Sequence, residues 1–157
     1  MPEIRSCKNA ALFLDVDGVL NRCDKSPSRL EFDLLANLAR IVAATDCGIV
    51  LSSTWRLNPS ALEELALAFE ACGLAIAGMT PDLCGLSESG IFMAKERGEE
   101  IQAWMNENGT PERFCIIDDS SDMAHLRMHL VQTDSFEGLT ETIAERVIKM
   151  LTQGRDA

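Results

Sequence analysis

Short apolar runs alternate with stretches of helical periodicity along most of the chain. Runs that end in polar residues predict buried strands at 10–14, 47–51, 74–78 and 114–117, with a short fifth at 130–131. Apolar residues at helical spacing predict amphipathic helices over about 30–44, 58–72, 96–108 and 139–150. Because strands that alternate with helices form parallel sheets covered on both faces, we expect one three-layer, Rossmann-like α/β domain spanning residues 1–157.

The first apolar run ends abruptly in two carboxylates and a glycine. Because side chains alternate along a strand, Asp15 and Asp17 should emerge on the same side, with Val16 directed into the packing. Gly18 has no Cβ and allows the backbone to turn sharply. Two carboxylates this close repel each other unless a cation or a shared proton intervenes. The pattern therefore predicts a site for a hard divalent ion, of which Mg²⁺ is the natural candidate.

Polar residues also follow two later strands. Ser52 and Ser53 come after the second strand, and Asp118, Asp119 and Asp122 come after the fourth. In a parallel sheet all carboxyl ends lie at one edge, so residues about 100 positions apart in sequence can meet there. We expect these strand ends to form one site.

Composition limits the classes of function. The fractions of apolar residues (46%) and charged residues (25%) are those of a globular protein. The net charge of −11 opposes non-specific attraction to nucleic acid or to an anionic membrane. No apolar run approaches the roughly 20 residues that cross a bilayer, and no signal peptide is recognised at residues 1–9, so we expect a cytoplasmic protein. The six cysteines show neither a CxxC pair nor zinc-ligand spacing.

Four short motifs, in order along the chain, carry a resemblance to a known family. They are DVDGVL at 15–20, Ser52 after Ile-Val-Leu, a basic residue at Lys95 or Arg97, and Asp118-Asp119 after Ile-Ile. Together they resemble the haloacid dehalogenase (HAD)-like phosphohydrolase superfamily. The stretches LSSTWR at 51–56, RGEEIQAW at 97–104 and IDD at 117–119 are similar to a narrower group, the HAD domains associated with bacterial RNA-repair proteins.

The resemblance implies a phosphatase mechanism. Asp15 would be the nucleophile that forms an aspartyl-phosphate, and Asp17 would be the general acid and base. Mg²⁺ would be held by Asp15, the backbone carbonyl of Asp17 and Asp118. Ser52 would donate a hydrogen bond to a phosphoryl oxygen, while Ser53 is the alternative hydroxyl and a candidate substrate contact.

The cation of the site has two candidates. The narrower family suggests Arg97, whereas the general pattern of the superfamily, which has a lysine, favours Lys95. A charged residue near the start of a helix is most often solvated surface, so the sequence leaves this assignment open.

Flanking residues have weaker signals. Asp119 and Asp122 would orient the water molecules of the ion, or Asp122 would cap the helix that follows it. Trp55 and Arg56 are candidate substrate contacts, with packing of Trp55 on the sheet edge equally acceptable.

Two histidines show the spacing of a metal site. His125 and His129 lie four residues apart, but nothing else near them supports metal binding, and surface or core histidines are the better interpretation.

The expected substrate follows from the lack of a segment long enough to form a cap domain over the site. Only residues 21–29 after the first motif and about 80–94 before the basic residue are free of predicted elements, and neither segment is long enough for a folded cap domain. An open site suits a phosphate on a large partner, such as a nucleic-acid end or a phosphoprotein. A non-catalytic phosphate-binding module and a small-molecule phosphatase are the alternatives. A signalling receiver domain is disfavoured because its acidic pair would precede the phosphorylated aspartate.

Overall fold

The computed structural model describes residues 2–24 and 29–153 of the 157. Part of the predicted loop at 21–29, including Pro27, lies outside the described residues. The strands are β1 (Ala10–Leu14), β2 (Gly48–Leu51), β3 (Ile76–Met79), β4 (Gly85–Leu86), β5 (Phe92–Met93), β6 (Arg113–Asp118) and β7 (Leu130–Gln132). The α-helices are α1 (Phe32–Thr45), α2 (Pro59–Ala71), α3 (Arg97–Asn108) and α4 (Glu141–Gln153), and short 3₁₀ helices lie at Thr54–Leu57 and Ala124–His129.

Five of the strands form one parallel sheet in the order β3-β2-β1-β6-β7. The central strand β1 is buried along its whole length, as its five apolar residues predict. Helices cover both faces of the sheet, so the predicted three-layer α/β fold is confirmed.

Alternating side chains of β1 separate the two layers of the core. Leu12 and Leu14 belong to the layer covered by α1, α2 and α4. Phe13 belongs to the opposite layer, where it meets Trp104 of α3 edge-to-face, with ring centroids 5.4 Å apart. By the same alternation, Asp15 lies on the α3 side of the sheet.

The predicted helix starts have identifiable caps. Asn58 accepts hydrogen bonds from the backbone N–H groups of Ser60 and Ala61 and so caps α2. Glu96 and Glu99 form a capping box at the start of α3. These caps fix where the two helices begin at the edge of the sheet.

The connection between β3 and α3 differs from its prediction. β3 begins two residues later than the apolar run 74–78 suggests, and the stretch expected to be irregular contains the antiparallel hairpin β4–β5. Strands of two residues are too short to show alternation, and both Leu86 and Phe92 are exposed, so no burial pattern marks the hairpin. The connection carries no larger insertion. Within the described chain, no helix has the length and apolar character to cross a membrane.

Candidate active site

Four adjacent strands each contribute one polar residue to a single row at the carboxyl edge of the sheet. The ladder pairs Leu14 with both Leu51 and Ile117, and it pairs Leu51 with Met79. The residues that follow these four are therefore also neighbours, and in-register residues of parallel strands point to the same face. Across the sheet the row reads Asp118, Asp15, Ser52, Thr80.

One arginine bridges the two carboxylates of this row. Nη1 of Arg97 lies 2.9 Å from Oδ1 of Asp15 and 2.6 Å from Oδ2 of Asp118. Arg97 is the first residue of α3, which covers the same face of the sheet, so its side chain reaches the row directly. Asp118 is fully buried, and its other oxygen accepts a hydrogen bond from the backbone N–H of Ser120 at 2.9 Å.

Burial and mutual repulsion perturb these groups. Burial, followed by the nearby Asp118, raises the pKa of Asp15 from 3.8 to about 8, and Arg97 opposes the shift. Burial also raises the pKa of Asp118, again against the effect of Arg97. For Arg97, burial works to lower the pKa, but the Asp15 and Asp118 carboxylates outweigh it and raise the pKa. When both carboxylates are ionised, the site therefore has an excess of negative charge that one guanidinium does not fully neutralise.

A third carboxylate completes a cluster suited to a divalent ion. Carboxylate oxygens of Asp15, Asp118 and Asp119 lie within 4.8 Å of one another. Gly18 faces Asp119 so closely that a Cβ at this position would collide with the carboxylate, and its φ of 78° also favours glycine. An all-oxygen donor set with surplus negative charge fits Mg²⁺. Asp119 thus lies among the candidate ligands and not outside them.

Two buried hydroxyls of the row have no partner among the described residues. Oγ of Ser52 and Oγ1 of Thr80 make no hydrogen bond within the described part of the chain, although both residues are nearly inaccessible. A buried hydroxyl without a partner costs free energy, which a bound ligand oxygen would offset. Ser52 is adjacent to Asp15 in the row, so its hydroxyl is placed to serve a group bound at the carboxylates.

The neighbouring Ser53 has a structural role in capping a short helix. Its hydroxyl accepts a hydrogen bond from the backbone N–H of Trp55 at 3.1 Å and caps the 3₁₀ helix Thr54–Leu57. Of the two candidate serines, Ser52 is therefore the one whose hydroxyl is available.

Arg56 is a structural clamp, and its assignment as a substrate contact is corrected. Its side chain is only 3% exposed and pairs with Glu100 at 3.2 Å. The guanidinium also donates to the backbone carbonyls of residues 52, 53, 80 and 81. The carbonyl contacts tie the end of β2 to the end of β3, and the pair with Glu100 ties Arg56 to α3. Together they leave the guanidinium no free face for substrate.

Asp17 lies at the exposed rim beside the row. Its Oδ1 accepts hydrogen bonds from Nδ2 of Asn21 at 2.9 Å and from Nε1 of Trp55 at 3.1 Å. Trp55 also packs against the core, in agreement with the packing alternative, and directs its indole N–H at Asp17. The expected metal contact through the backbone carbonyl of Asp17 stays a prediction.

Lys95 and Asp122 take positions that differ from their candidate roles. Lys95 is exposed, and its ammonium makes no ion pair with any residue in the described ranges. Asp122 accepts a hydrogen bond from the backbone N–H of Arg97 at 3.3 Å and from the hydroxyl of Ser120 at 2.7 Å. Asp122 therefore supports the start of α3, and not the helix that follows it.

With this geometry in place, comparison with known proteins identifies the family. The family described as the HAD domain in Swiss Army Knife RNA repair proteins matches residues 11–144. The chain belongs to this family. No curated protein matches the chain. A solved structure from Vibrio cholerae, assigned as a 3-deoxy-D-manno-octulosonate 8-phosphate phosphatase, aligns with a TM-score of 0.45 and 12% identity over 96% of this chain and 89% of that chain.

Membership confirms the resemblance and supports a HAD-like hydrolase at the level of the family. The matched segment of this HAD domain runs from β1 into α4 and contains the whole row of strand ends. The two histidines of the HAD domain lie outside the carboxylate cluster. His125 bonds to Gln102 at 2.8 Å, and His129 stacks on Phe114.

Three residues of the HAD domain that shape the site were not singled out from the sequence. Asn21 is fully buried and holds Asp17, but a single amide in a polar loop gives no signal of this role. Gly98 allows α3 to approach the backbone of Met123, which no local pattern indicates. Thr80 follows a strand in the same way as Ser52, and the strand-end rule would have found it had β3 been placed at Ile76–Met79.

Proposed function

We propose that this HAD domain is a magnesium-dependent phosphatase that acts through an aspartyl-phosphate. The observation that carries the proposal is the pairing of Asp15 with Asp118 through Arg97, beside an unpartnered buried hydroxyl at Ser52. A nucleophile, a cation and a hydrogen-bond donor on one face are the groups that phosphoryl transfer needs.

The reaction takes two steps at Asp15. In the first, a carboxylate oxygen of Asp15 attacks phosphorus while Asp17 gives a proton to the leaving oxygen. In the second, Asp17 takes a proton from water, which attacks phosphorus and releases phosphate from Asp15. The exposed position of Asp17 supports this role, because both the leaving group and the incoming water must reach it.

Charge is balanced by groups around Asp15. Arg97 offsets the negative charge that nucleophile and phosphate bring together, and the Ser52 hydroxyl donates to a phosphoryl oxygen. Asp15, Asp118 and Asp119 would hold the magnesium ion, which when bound neutralises charge at the phosphate and favours the ionised, nucleophilic form of Asp15.

We infer a phosphate on a macromolecule, and in particular at a nucleic-acid end, as the substrate. Two observations support this: the β3–α3 connection carries only a short hairpin and no cap domain, and the family is described by its occurrence in RNA repair proteins. The net charge of −11 favours recognition of a terminal phosphate over an extended nucleic-acid footprint. All six cysteines are free thiols, which suits a reducing compartment such as the cytosol.

The test is phosphate release from p-nitrophenyl phosphate and from 3′- and 5′-phosphorylated oligonucleotides, each with Mg²⁺ or with EDTA. Asp15→Asn removes the nucleophile, and Asp46→Asn is a matched control because Asp46 is an exposed residue at the end of α1. We expect turnover that needs Mg²⁺, survives in Asp46→Asn and is lost in Asp15→Asn.

Each part of the proposal has its own contrary result. If Asp15→Asn still released phosphate, the reaction would not pass through an aspartyl-phosphate at Asp15. If turnover were equal in EDTA and in Mg²⁺, the reaction would not need the metal. A preference for p-nitrophenyl phosphate over every oligonucleotide would indicate a small-molecule phosphatase. Binding of phosphate esters with no turnover of any of them would indicate a binding module.

A further inference from the structure

Both N–H donors that reach Asp17 in the described structure bond to the same carboxylate oxygen. Nδ2 of Asn21 and Nε1 of Trp55 donate to Oδ1 at 2.9 and 3.1 Å. Oδ2 accepts no hydrogen bond from the described residues. The two oxygens of this carboxyl group are therefore inequivalent.

Each donor is itself held in place. Asn21 is fully buried, and its Oδ1 accepts the backbone N–H of Gly18 at 2.9 Å, so the amide cannot turn over without losing two hydrogen bonds. Trp55 is fixed on its short helix by the Ser53 cap and by the buried Arg56 next to it. These supports come from two different segments of the chain, the loop after β1 and the 3₁₀ helix after β2.

We propose that Asn21 and Trp55 are positioning residues that select Oδ2 of Asp17 as the oxygen that carries the transferable proton. An oxygen that accepts two N–H groups has no room for a proton of its own, whereas the other oxygen is free to hold one. This inference rests on the proposed function, because it concerns the general acid of the same reaction.

The proton balance is simple. In the first step the bond between phosphorus and the leaving oxygen breaks, a bond from Asp15 to phosphorus forms, and the proton on Oδ2 of Asp17 moves to the leaving oxygen. In the second step water attacks phosphorus and gives a proton back to Oδ2 as the bond to Asp15 breaks. Asn21 and Trp55 keep their protons throughout, so they orient the acid without reacting.

Orientation matters here because Asp17 is exposed. An exposed carboxyl group samples several rotamers, and a proton on the wrong oxygen cannot reach the leaving group. General acid catalysis is required when the leaving alkoxide is basic and is dispensable when the leaving group is already stable as an anion. The effect of losing a donor should therefore depend on the leaving group.

The experiment compares kcat/KM for an alkyl phosphate and for 2,4-dinitrophenyl phosphate in the Trp55→Phe variant. This ratio reports the steps up to transfer of the phosphoryl group to Asp15, so the later hydrolysis does not contribute. Phenylalanine keeps an aromatic ring at this position and removes the N–H, and the loss of ring area is controlled for by the Trp104→Phe variant below. We expect kcat/KM for the alkyl phosphate to fall about tenfold, and kcat/KM for the dinitrophenyl ester to stay within about twofold.

Two further variants serve as a control and as a second test of the positioning role. Trp104→Phe is the matched control, since this indole packs on Phe13 in the core, and its ratio between the two substrates should equal that of the native protein. Asn21→Ser removes the amide donor to Asp17, and it should repeat the selective loss. An equal loss on both substrates, or no loss in Trp55→Phe, would overturn the positioning role. A native protein that hydrolyses neither these esters nor the 3′- and 5′-phosphorylated oligonucleotides would instead overturn the proposed function.

Discussion

Asp15 and Asp118 share a single guanidinium nitrogen. Nη1 of Arg97 lies within 3 Å of one oxygen of each carboxylate, at 2.9 and 2.6 Å. When both carboxylates are ionised, one positive charge between them leaves net negative charge in a poorly solvated place. Function and stability should therefore oppose each other at this site.

Asp15 should destabilise the metal-free protein as pH rises. The pKa of this group is 3.8 when unfolded and about 8 when folded, so between these values the native state holds more protons than the unfolded state. Stability from this group is greatest at low pH and is lost as pH increases toward 8. Between pH 5 and pH 8, the free energy of unfolding of the native protein in EDTA should fall by on the order of 1 to 4 kcal/mol, whereas that of Asp15→Asn should not show this fall. Urea unfolding at the two pH values measures the difference.

Mg²⁺ should reverse this penalty. Addition of the ion at pH 8 should stabilise the native protein and leave Asp15→Asn nearly unchanged, because binding to the native state adds stability only where the ligands are present. A pH dependence that is the same in both proteins would contradict the role of Asp15 in either effect.

Arg97, and not Lys95, should act as the cation of the site. Arg97→Met removes the positive charge that contacts both Asp15 and Asp118, so kcat/KM for phosphate esters should fall by about 100-fold. Lys95→Met, two residues earlier and exposed, should leave kcat/KM unchanged. The reverse ranking would assign the phosphate-binding role to Lys95.

Ser52 and Ser53 should respond to alanine in opposite ways. Ser52→Ala removes a buried hydroxyl that has no hydrogen-bond partner in the described part of the chain. The free energy of unfolding should therefore not fall and should rise by up to about 1 kcal/mol, while kcat/KM drops. Ser53→Ala removes a helix cap and should cost about 1 kcal/mol of stability. Thermal unfolding and steady-state kinetics on the two variants separate these effects. A destabilised Ser52→Ala would show that its hydroxyl has a structural partner.

The strand ends of the site were predictable because they depend on general geometry. A buried apolar run fixes the strand, a parallel sheet brings the carboxyl ends together, and the register then aligns Asp15 with Ser52 and Asp118. The same logic missed Thr80, because the predicted strand 74–78 stops at Gly78, whereas the strand runs on to Met79 and Thr80 is the residue that follows it.

Residue roles that depend on how two secondary-structure elements pack together were not predictable from the sequence. Lys95 and Arg97 lie two positions apart at the start of α3. Only the packing of α3 on the sheet decides which of the two side chains faces the site. The sequence makes Arg56 only a candidate substrate contact, because its buried partner Glu100 lies on a different element, 44 positions away. Contacts of this kind are set by tertiary packing and leave no periodic signal.

Arg56 should matter mainly for stability. Its pair with Glu100 is almost fully buried, so Arg56→Met leaves a buried carboxylate and four backbone carbonyls without their donor. We expect a loss of about 3 to 5 kcal/mol in the free energy of unfolding. Arg40→Met is the matched control, because the Arg40–Glu145 pair is exposed and should cost less than about 1 kcal/mol. Similar costs for the two variants would mean that Arg56 is not the clamp described above.

Gly98 should couple the packing of α3 to the chemistry of the site. A Cβ at this position would overlap the backbone carbonyl of Met123, which cannot rotate away as a side chain could. Gly98→Ala must therefore shift the start of α3 away from the loop after β6, with a cost of about 1 to 3 kcal/mol. Because Arg97 precedes Gly98 directly, the same shift draws its guanidinium away from Asp15.

The measurement is unfolding together with kinetics of Gly98→Ala, with Gly85→Ala as the control. Gly85 lies in the β4–β5 hairpin, and a Cβ there meets no atom within 4 Å. We expect Gly85→Ala to change neither property, and Gly98→Ala to lower both stability and kcat/KM at a temperature where the variant is still folded. A variant that loses stability but keeps its native kcat/KM would show that Arg97 reaches Asp15 independently of how closely α3 docks.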